Sequence, residues 1–319
     1  MLSMSMIGNH FWCVVLAVCV LGGCAPGGRS AMADAKKETR PPVVAGAFYP
    51  GSPDRLRETV QSLLDRVPDI KPEGEIFAAL APHAGYVYSG PVAAYTHKLL
   101  QAAEFDTIVI IGHDAYRSAV AFVSPADFFE TPLGQVPVDR EMVTKMMAFD
   151  PGIREDRLLH SREHTVEVQL PFLQVMGREC RIVPILFGEP TFENCRLLAD
   201  AIRSAAGDRK VLVFGSTDMC HYPTYEVARR IDTATLEVLG SLDVRKLFAH
   251  LREQEHKGLA LNVETALCAK GGVGTAILFA KDRGADHAQV LHYANSGDVP
   301  IGDKRRVVGY SAALLVRKR

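Results

Sequence analysis

Side chains that bind metals or transfer protons follow several apolar runs of this chain, at the point where each run ends. They are His83, His113, the pair Asp218 and His221, and, far downstream, Cys268. Open α/β sheets bind ligands beyond the carboxyl ends of their strands, so residues just past neighbouring strands can meet in one pocket. Imidazole, carboxylate and thiolate groups that meet in this way indicate a transition-metal site. The central prediction is that these side chains converge.

The elements that must position these residues alternate between apolar runs and helical patterns from Pro42 onward, which favours α/β architecture. The predicted strands cover residues 76–81, 107–111, 119–123, 181–186, 210–214, 288–293 and 307–316. The predicted helices cover residues 52–66, 91–102, 140–148, 163–176, 193–206, 224–239, 244–255 and 264–281. No Gly/Ser-rich linker divides the middle, so we predict one three-layer α/β/α domain over residues 42–319.

His83 lies in a turn of proline and glycines, Pro82-His-Ala-Gly-Tyr-Val-Tyr-Ser-Gly90, which would hold it at the end of a strand. A histidine hydrogen-bonded at a turn is the structural alternative. Asp218 and His221 follow a very apolar strand, and an Asp–His pair can fix an imidazole tautomer for metal binding or proton transfer. Strand-like alternation would place Asp218 and Cys220 on one face and His221 on the other, whereas a turn would bring Asp218 and His221 together. An aspartate that caps the next helix is the alternative.

His164 and Glu167 stand three residues apart at the start of a predicted helix and would share one helical face. Metalloproteases of the zincin type need a second histidine four residues after the first, and Val168 occupies that position, so this class is rejected. The glycines of Gly271-Gly-Val-Gly274 lack a preceding strand and a following Lys-Ser/Thr. Close helix packing therefore explains them better than a phosphate loop.

Composition excludes one large class of function. Apolar residues make up 48% of the chain, charged residues 23%, and the formal net charge is −1. These values are typical of a folded domain with an ordinary core. Nucleic-acid binding proteins usually carry a basic patch or stripe, and the only basic block here is the short tail Arg317-Lys-Arg319. We therefore expect no nucleic-acid partner.

Residues 1–24 have the pattern of an export signal. The apolar run over residues 11–21 is too short to span a bilayer, and Leu21-Gly-Gly-Cys24 resembles the lipobox of bacterial lipoproteins. Residues 1–10 contain no Lys or Arg, unlike an ordinary signal. We expect lipidation of Cys24 and a tether over residues 25–41. The protein would then be exported and held on the cell envelope, facing the periplasm or the cell surface. Its sole contact with the membrane would be this lipid anchor. A plain secretory signal or an uncleaved N-terminal anchor are the alternatives.

Four cysteines lie beyond this leader, too few and too scattered for a disulfide framework. Free structural thiols are expected for Cys180 and Cys195. A disulfide between Cys220 and Cys268 is the alternative in an oxidising compartment, and it would remove a thiolate from the site.

Taken in order, several segments resemble the Memo family, whose bacterial members are named AmmeMemoRadiSam system protein B. The likeness runs from about Pro41 to the C-terminus and includes Val44-Ala-Gly-Ala-Phe-Tyr-Pro50, the segment from Pro82 to Gly90, Glu130-Thr-Pro-Leu-Gly134, Glu163-His-Thr-Val-Glu-Val-Gln-Leu-Pro-Phe-Leu173, Ser216-Thr-Asp-Met-Cys-His-Tyr222 and Tyr293-Ala-Asn-Ser-Gly-Asp-Val299. The family is similar to the LigB-type class III extradiol dioxygenases. This resemblance implies a single α/β/α domain around a central mixed sheet.

Two histidines and a glutamate hold non-haem Fe(II) in those dioxygenases, and Memo proteins keep two histidines and supply a cysteine. The resemblance implies that His83 is the first histidine, that Cys268 is the cysteine, and that Asp218 and His221 act on protons beside the metal. The family usually reads Gly-Pro-Ser-His where this chain has Gly112-His113-Asp114, so His113 is the nearest available second histidine, with His221 or Asp114 as substitutes. Further residues are expected to line the pocket, namely Tyr86, His164, Glu167 and Cys220.

These implications predict an exported metal-binding protein that holds Fe(II) or Cu, with Zn as a further alternative. The implied activity is that of a dioxygenase-like non-haem oxidoreductase acting on an unidentified small molecule. Two other functions stay open. One is a metal-independent thiol hydrolase with Cys268 or Cys220 as nucleophile and His221 as base. The other is a non-catalytic binding module that kept the pocket.

Overall fold

A computed structural model describes residues 37–258 and 261–318 of the chain. The predicted signal segment, Cys24 and residues 25–36 of the predicted tether lie outside these residues. The last residues of the predicted tether, 37–41, are described, and they are not a free linker, because Thr39 and Arg40 pair with Phe128 and Phe129 in a sheet. The helices are α1 Pro53–Asp65, α2 Tyr86–Leu99, α3 Arg140–Phe149, α4 Arg157–His160, α5 Leu170–Val175, α6 Phe192–Ala206, α7 Tyr225–Leu239, α8 Val244–Gly258 and α9 Lys270–Asp282. Short 3-10 turns cover Leu100–Ala102, Glu167–Gln169 and Ser296–Asp298.

The strands form two sheets. They are β1 Thr39–Arg40, β2 Gly74–Ala81, β3 Thr107–Asp114, β4 Ala121–Val123, β5 Phe128–Thr131, β6 Gly134–Pro137, β7 Ile153–Glu155, β8 Arg181–Phe187, β9 Val211–Ser216, β10 His287–Asn295 and β11 Gly309–Lys318. The large sheet has the order β10-β11-β2-β9-β3-β8-β4-β7, and the small sheet has the order β1-β5-β6. The four adjacent strands β2, β9, β3 and β8 are parallel, whereas β10, β11 and β4 introduce antiparallel pairs.

Helices cover both faces of the large sheet. The ring of Phe214 in β9 stacks on His97 of α2, with ring centroids 5.3 Å apart. A Cβ atom at the next residue, Gly215, would lie 3.7 Å from the backbone of Gly272 in α9. Because consecutive strand residues face opposite sides, α2 and α9 lie on opposite faces. The predicted three-layer α/β/α architecture with a mixed sheet is confirmed.

The glycines near the start of α9 serve close packing, as predicted. A Cβ atom at Gly271 would lie 2.2 Å from the ring of Phe187, and one at Gly274 would lie 2.8 Å from Sγ of Cys195. No other residue type fits these contacts without a shift of the helix away from the sheet. The helix therefore lies close to the strand ends that carry the site.

All seven predicted strands are present, but three predicted helices begin in the wrong place. Helix α2 begins at Tyr86, five residues before the predicted start, and two others begin late. The segment predicted as a helix from Glu163 is a turn up to Val166, because the Glu163 carboxylate accepts the N–H groups of His164 and Thr165. The segment predicted as a helix from Glu264 becomes helical only at Lys270, because its backbone first pairs with residues 218–221. In both late-starting segments other hydrogen bonds replace those of a helix, from a neighbouring side chain in the first and from a distant loop in the second.

The core extends across both faces of the sheet and is built from the strand interiors and the facing sides of the helices. Within residues 37–258 and 261–318, no helix is long and apolar enough to span a membrane. The cysteines Cys180, Cys195, Cys220 and Cys268 are buried and free.

Candidate functional site

Three neighbouring parallel strands deliver site residues to one edge of the large sheet. His83 lies two residues beyond the end of β2, Asp218 lies two residues beyond the end of β9, and His113 is the penultimate residue of β3. Strand β9 pairs with both β2 and β3, so the carboxyl ends of all three are adjacent. The parallel topology therefore brings these three positions together, as the apolar runs in the sequence predicted.

Cys268 reaches the same edge from the loop that precedes α9. Its backbone N–H donates to the carbonyl oxygen of Asp218 at 3.2 Å, and its Sγ accepts the N–H of Asp218 at 3.2 Å. The same sulfur lies 3.2 Å from Nε2 of His83. Only 4% of His83 and 5% of Cys268 is exposed. The two residues form a buried sulfur–imidazole pair, although 185 residues separate them in sequence.

The Asp218 carboxylate lies between two imidazoles. Its Oδ1 accepts the backbone N–H of His83 at 2.8 Å, which fixes the turn that carries that histidine. Its Oδ2 lies 3.9 Å from Nε2 of His83 and 3.9 Å from Nε2 of His221. A turn thus brings Asp218 and His221 together, which is the second of the two arrangements predicted for this segment. The carboxylate is placed to hold a proton for either ring.

His221 presents an imidazole nitrogen with no partner. Its Nε2 is buried and makes no hydrogen bond within the described part of the chain. The backbone on either side is well held, because the N–H of His221 donates to Thr265 at 2.9 Å and its carbonyl oxygen accepts the N–H of Glu264 at 3.1 Å. A buried polar atom without a partner costs free energy, so this nitrogen indicates a ligand.

His113 stands at the rim of the same edge, and its side chain is exposed. Burial is the main cause that lowers the pKa of His83 and of His221, and His113 is among the neighbouring groups that act in the same direction. Its backbone N–H donates to Oγ1 of Thr165 at 3.1 Å. This contact requires glycine at position 112, because a Cβ atom there would lie 2.0 Å from the same oxygen. His113 therefore lies at the same edge of the sheet, and no hydrogen bond joins its ring to His83 or Cys268.

Burial controls the protonation of the central groups. It lowers the pKa of His83 to about 3, with the charge of His164 as the next cause. It raises the pKa of Asp218 to about 6 and raises that of the Cys268 thiol well above its ordinary value. His83 is therefore a neutral imidazole with a free lone pair. A bound cation would reverse the effect on the thiol, because a metal-bound cysteine is deprotonated.

His164 forms part of the wall around His83, as predicted. The two rings meet edge to face with centroids 5.7 Å apart, and Phe48 lies against the other side of His164 at 4.8 Å. The ring of Tyr86 packs on Tyr49 and Phe172, and its hydroxyl donates to the carbonyl oxygen of Val168 at 2.6 Å. The aromatic contacts of His83 are therefore with His164, which Phe48 supports.

Glu167 and Cys220 were expected to line the pocket, but both make their contacts elsewhere in the fold. Glu167 is fully buried against the N-terminal segment, where its carboxylate accepts hydrogen bonds from Arg40 and Tyr49. Cys220 is buried against α7, where its backbone N–H donates to Asp232 at 3.0 Å. Glu167 diverges because the segment before it is a turn, and Cys220 diverges because the turn that joins Asp218 to His221 rotates it away.

The residues behind His83 were not predicted. Ser216, Gln169 and His97 are all buried and form a chain of contacts, in which Nδ1 of His83 contacts Ser216, Ser216 contacts Gln169, and Gln169 contacts His97. Ser216 and Gln169 lie in two of the segments that resemble the Memo family, but a serine or a glutamine does not by itself indicate a site. His97 could have been found from the sequence, because it is a histidine within the apolar helix α2.

The donor set fits a transition metal, although the groups are not gathered around one point. Within residues 37–258 and 261–318, no three His, Cys, Asp or Glu side chains are arranged to hold an ion together. At metal–nitrogen and metal–sulfur distances of about 2.0 Å and 2.3 Å, tetrahedral ligand atoms lie about 3.5 Å apart. The 3.2 Å between His83 and Cys268 is close to this value. The partnerless Nε2 of His221 and the nearby His113 supply candidates for a third ligand.

Known proteins match nearly the whole of this domain. The model of a family described as Memo-like protein matches residues 40–314. A MEMO1 family protein of Archaeoglobus fulgidus is 36% identical over 85% of this chain and 97% of its own length. A MEMO1 family protein of Thermococcus onnurineus is 37% identical over 88% of this chain and 99% of its own length. Among solved structures, an uncharacterized protein of Escherichia coli K12 superposes with a TM-score of 0.49 at 13% identity, over 74% of this chain and 99% of that chain.

Proposed function

This chain belongs to the Memo-like protein family, and we propose that it binds a redox-active metal ion, Fe(II) or Cu, through His83 and Cys268. The observation that carries the proposal is the buried contact of 3.2 Å between Nε2 of His83 and Sγ of Cys268. Soft sulfur and neutral imidazole ligands suit copper and iron, and they also suit zinc. The site lies at the carboxyl ends of the parallel strands β2, β9 and β3, where ligands of α/β proteins bind.

The proposed third ligand is His113, with His221 as the alternative. His113 has an exposed side chain on the last residues of β3, so its ring is free to turn toward the pair. His221 has a buried Nε2 without a partner, which a metal ion or a bound substrate would satisfy. With either histidine the metal ion would have two nitrogen ligands and one sulfur ligand, and coordination positions would stay open for a small molecule.

The proposed activity is oxidation of a small molecule. A bound iron or copper ion would supply one-electron chemistry with dioxygen. Asp218 and His221 would hold or move a proton at Oδ2 and Nε2 respectively, through one bridging water molecule or a substrate group, since these atoms lie 3.9 Å apart. His83 is buried, with the ring of His164 against it and Phe48 against His164, which limits the access of water to His83. A non-catalytic role would use the same ligands without proton transfer.

Two observations favour metal binding over a thiol hydrolase. Cys268 is almost wholly buried and its thiol pKa is raised, whereas a nucleophilic cysteine needs access and a lowered pKa. Cys220 contacts Asp232 instead of His221, so it lacks the neighbouring base that the hydrolase needs.

Metal content tests the proposal. Protein purified without oxygen and loaded with Fe(II) or Cu(I) should carry about one ion per chain by elemental mass spectrometry. His83→Ala should reduce the affinity at least about tenfold, because it removes a ligand. His256→Ala is the matched control, since this histidine is exposed on α8. Wild-type protein that stays metal-free under all loading conditions would overturn the proposal. Oxygen uptake with catechols and other chelating compounds then separates an enzyme from a binding module.

We also propose that the chain is exported and lipid-anchored at Cys24, on the support of the segment Leu21-Gly-Gly-Cys24. Expression in a bacterial host with labelled palmitate should label the protein. Cys24→Ser should abolish the label, and persistent labelling of that variant would contradict lipidation at this residue.

A further inference from the structure

A buried histidine lies behind the site in a place where an apolar residue would pack as well. His97 in α2 has no exposed surface, and its ring is stacked between Phe172 and Phe214 at centroid distances of 4.6 Å and 5.3 Å. Its Nε2 lies 2.9 Å from Oε1 of Gln169. Its Nδ1 is buried and has no hydrogen-bond partner among the described residues. This arrangement costs stability, so the histidine has a role that packing does not explain.

The hydrogen atoms between His97 and the site are fixed by a backbone carbonyl group. The side-chain nitrogen of Gln169 donates to the carbonyl oxygen of Pro82 at 3.0 Å and to Oγ of Ser216 at 2.8 Å. Because a carbonyl oxygen can only accept, the amide cannot be turned around. Its Oε1 must therefore face His97, and His97 must carry its hydrogen on Nε2.

A second carbonyl group fixes the direction at Ser216. The hydroxyl of Ser216 donates its single hydrogen to the carbonyl oxygen of Thr165 at 2.6 Å. Its oxygen can then only accept from Gln169 and from Nδ1 of His83, which lies 3.3 Å away. His83 consequently carries its hydrogen on Nδ1, and the lone pair is on Nε2, the atom that faces Cys268.

We propose that His97, Gln169 and Ser216 are positioning residues that hold His83 in the Nδ1–H tautomer and so aim its Nε2 lone pair into the site. The inference deepens the proposed function and rests on it, because a lone pair on Nε2 is what a metal ion requires. The groups that orient a ligating imidazole contribute to metal affinity even though they do not touch the ion. His97 does not contact His83 itself. It orients the amide of Gln169, which donates to Ser216, and Ser216 contacts His83.

The tautomer of His83 can be read directly in metal-free protein. Long-range ¹H–¹⁵N correlation spectra of histidine-labelled protein distinguish the two neutral tautomers, and the spectrum of His83→Ala identifies the signals of His83. Wild type should show the Nδ1–H form. Ser216→Ala should shift His83 largely to the Nε2–H form. His97→Phe should give a smaller shift in the same direction, and His97→Gln should restore the wild-type spectrum, because its amide nitrogen can donate from the position of Nε2.

Metal affinity separates this inference from the proposed function. Ser216→Ala and His97→Phe should lower the affinity by about 10- to 100-fold, with His97→Gln close to wild type. If wild type binds no metal while the tautomer shifts as expected, the positioning role stands and the proposed function fails. An unchanged tautomer in folded Ser216→Ala and His97→Phe overturns the inference, whatever metal binds. If His97→Phe does not fold, Ser216→Ala and His97→Gln decide the matter alone.

Discussion

Two buried carboxylates in this molecule have opposite surroundings. Glu167 is fully buried, and its oxygens accept from the Arg40 guanidinium, the Tyr49 hydroxyl and two backbone N–H groups. Asp218 is 3% exposed, and its Oδ2 lies 3.9 Å from two imidazole nitrogens, beyond ordinary hydrogen-bond range. Both oxygens of Glu167 accept hydrogen bonds that hold the fold together, whereas Oδ2 of Asp218 is not hydrogen-bonded to either imidazole.

The difference shows how burial can be interpreted. A buried charge with all its hydrogen bonds made holds segments together, as Glu167 holds the N-terminal segment against the loop before α5. A buried cluster with unmade hydrogen bonds, at the carboxyl edge of a sheet, indicates a ligand. The cluster of Glu167 should therefore determine stability, and the cluster of Asp218 should determine binding.

The largest expected effect is on stability, at Glu167. Glu167→Leu leaves the buried Arg40 guanidinium without its partner, and we expect a loss of about 3–5 kcal/mol in the free energy of unfolding. Urea denaturation followed by circular dichroism measures it. The control is Glu141→Gln, which breaks an exposed pair with Lys145 and should leave the stability unchanged. Equal effects of the two variants would show that the Glu167 cluster contributes no more to stability than an exposed ion pair.

A second effect comes from His160, whose carbonyl oxygen accepts from the side chain of Arg40 in the Glu167 cluster. Burial lowers the pKa of His160 to about 4, with the charge of Arg40 adding to this and those of Glu163 and Asp156 opposing it. The unfolded chain takes up this proton near pH 6.5, so stability should fall as the pH drops from about 6.5 to about 4.

The loss from this residue should amount to roughly 3 kcal/mol across that window. In His160→Gln the free energy of unfolding should depend less steeply on pH between about 6.5 and about 4, because unfolding takes up one proton fewer. Urea titrations at several pH values give the slopes of both proteins. Identical slopes would show that His160 does not titrate between these limits.

The smallest expected effect is at His221, in the Asp218 cluster. His221→Phe removes a buried nitrogen that has no partner, so the free energy of unfolding should stay level or rise by about 1 kcal/mol. The same urea titration measures this change. A loss above about 2 kcal/mol would place His221 with the structural residues such as Glu167, and the contrast between the clusters would be wrong.

The sequence predicted the architecture from local patterns, and it predicted which residues would follow three neighbouring strands. Apolar periodicity located β2, β3 and β9, and the residues that end them followed directly. The short strands β1, β5, β6 and β7 were not predicted, since two to four residues carry too little pattern. The starts of the helices near Glu163 and Glu264 were misplaced, because side-chain and loop hydrogen bonds override helical propensity there.

Contacts between distant residues could not be obtained from one sequence. Arg40 and Glu167 are 127 residues apart, and nothing near Glu167 predicts that its partner comes from the N-terminal segment. The same holds for Gln169 and Ser216, whose roles depend on two carbonyl groups and on His97, 72 residues from Gln169. These relations require the three-dimensional arrangement.

The most direct test of the central claim is X-ray absorption spectroscopy of the metal-loaded protein. If His83 and Cys268 hold one ion together, the spectrum should contain a sulfur neighbour at about 2.3 Å beside nitrogen neighbours at about 2.0 Å. Cys268→Ala should lose the sulfur signal, and His83→Ala should weaken the nitrogen signal. A wild-type spectrum that contains only nitrogen and oxygen neighbours would contradict the claim.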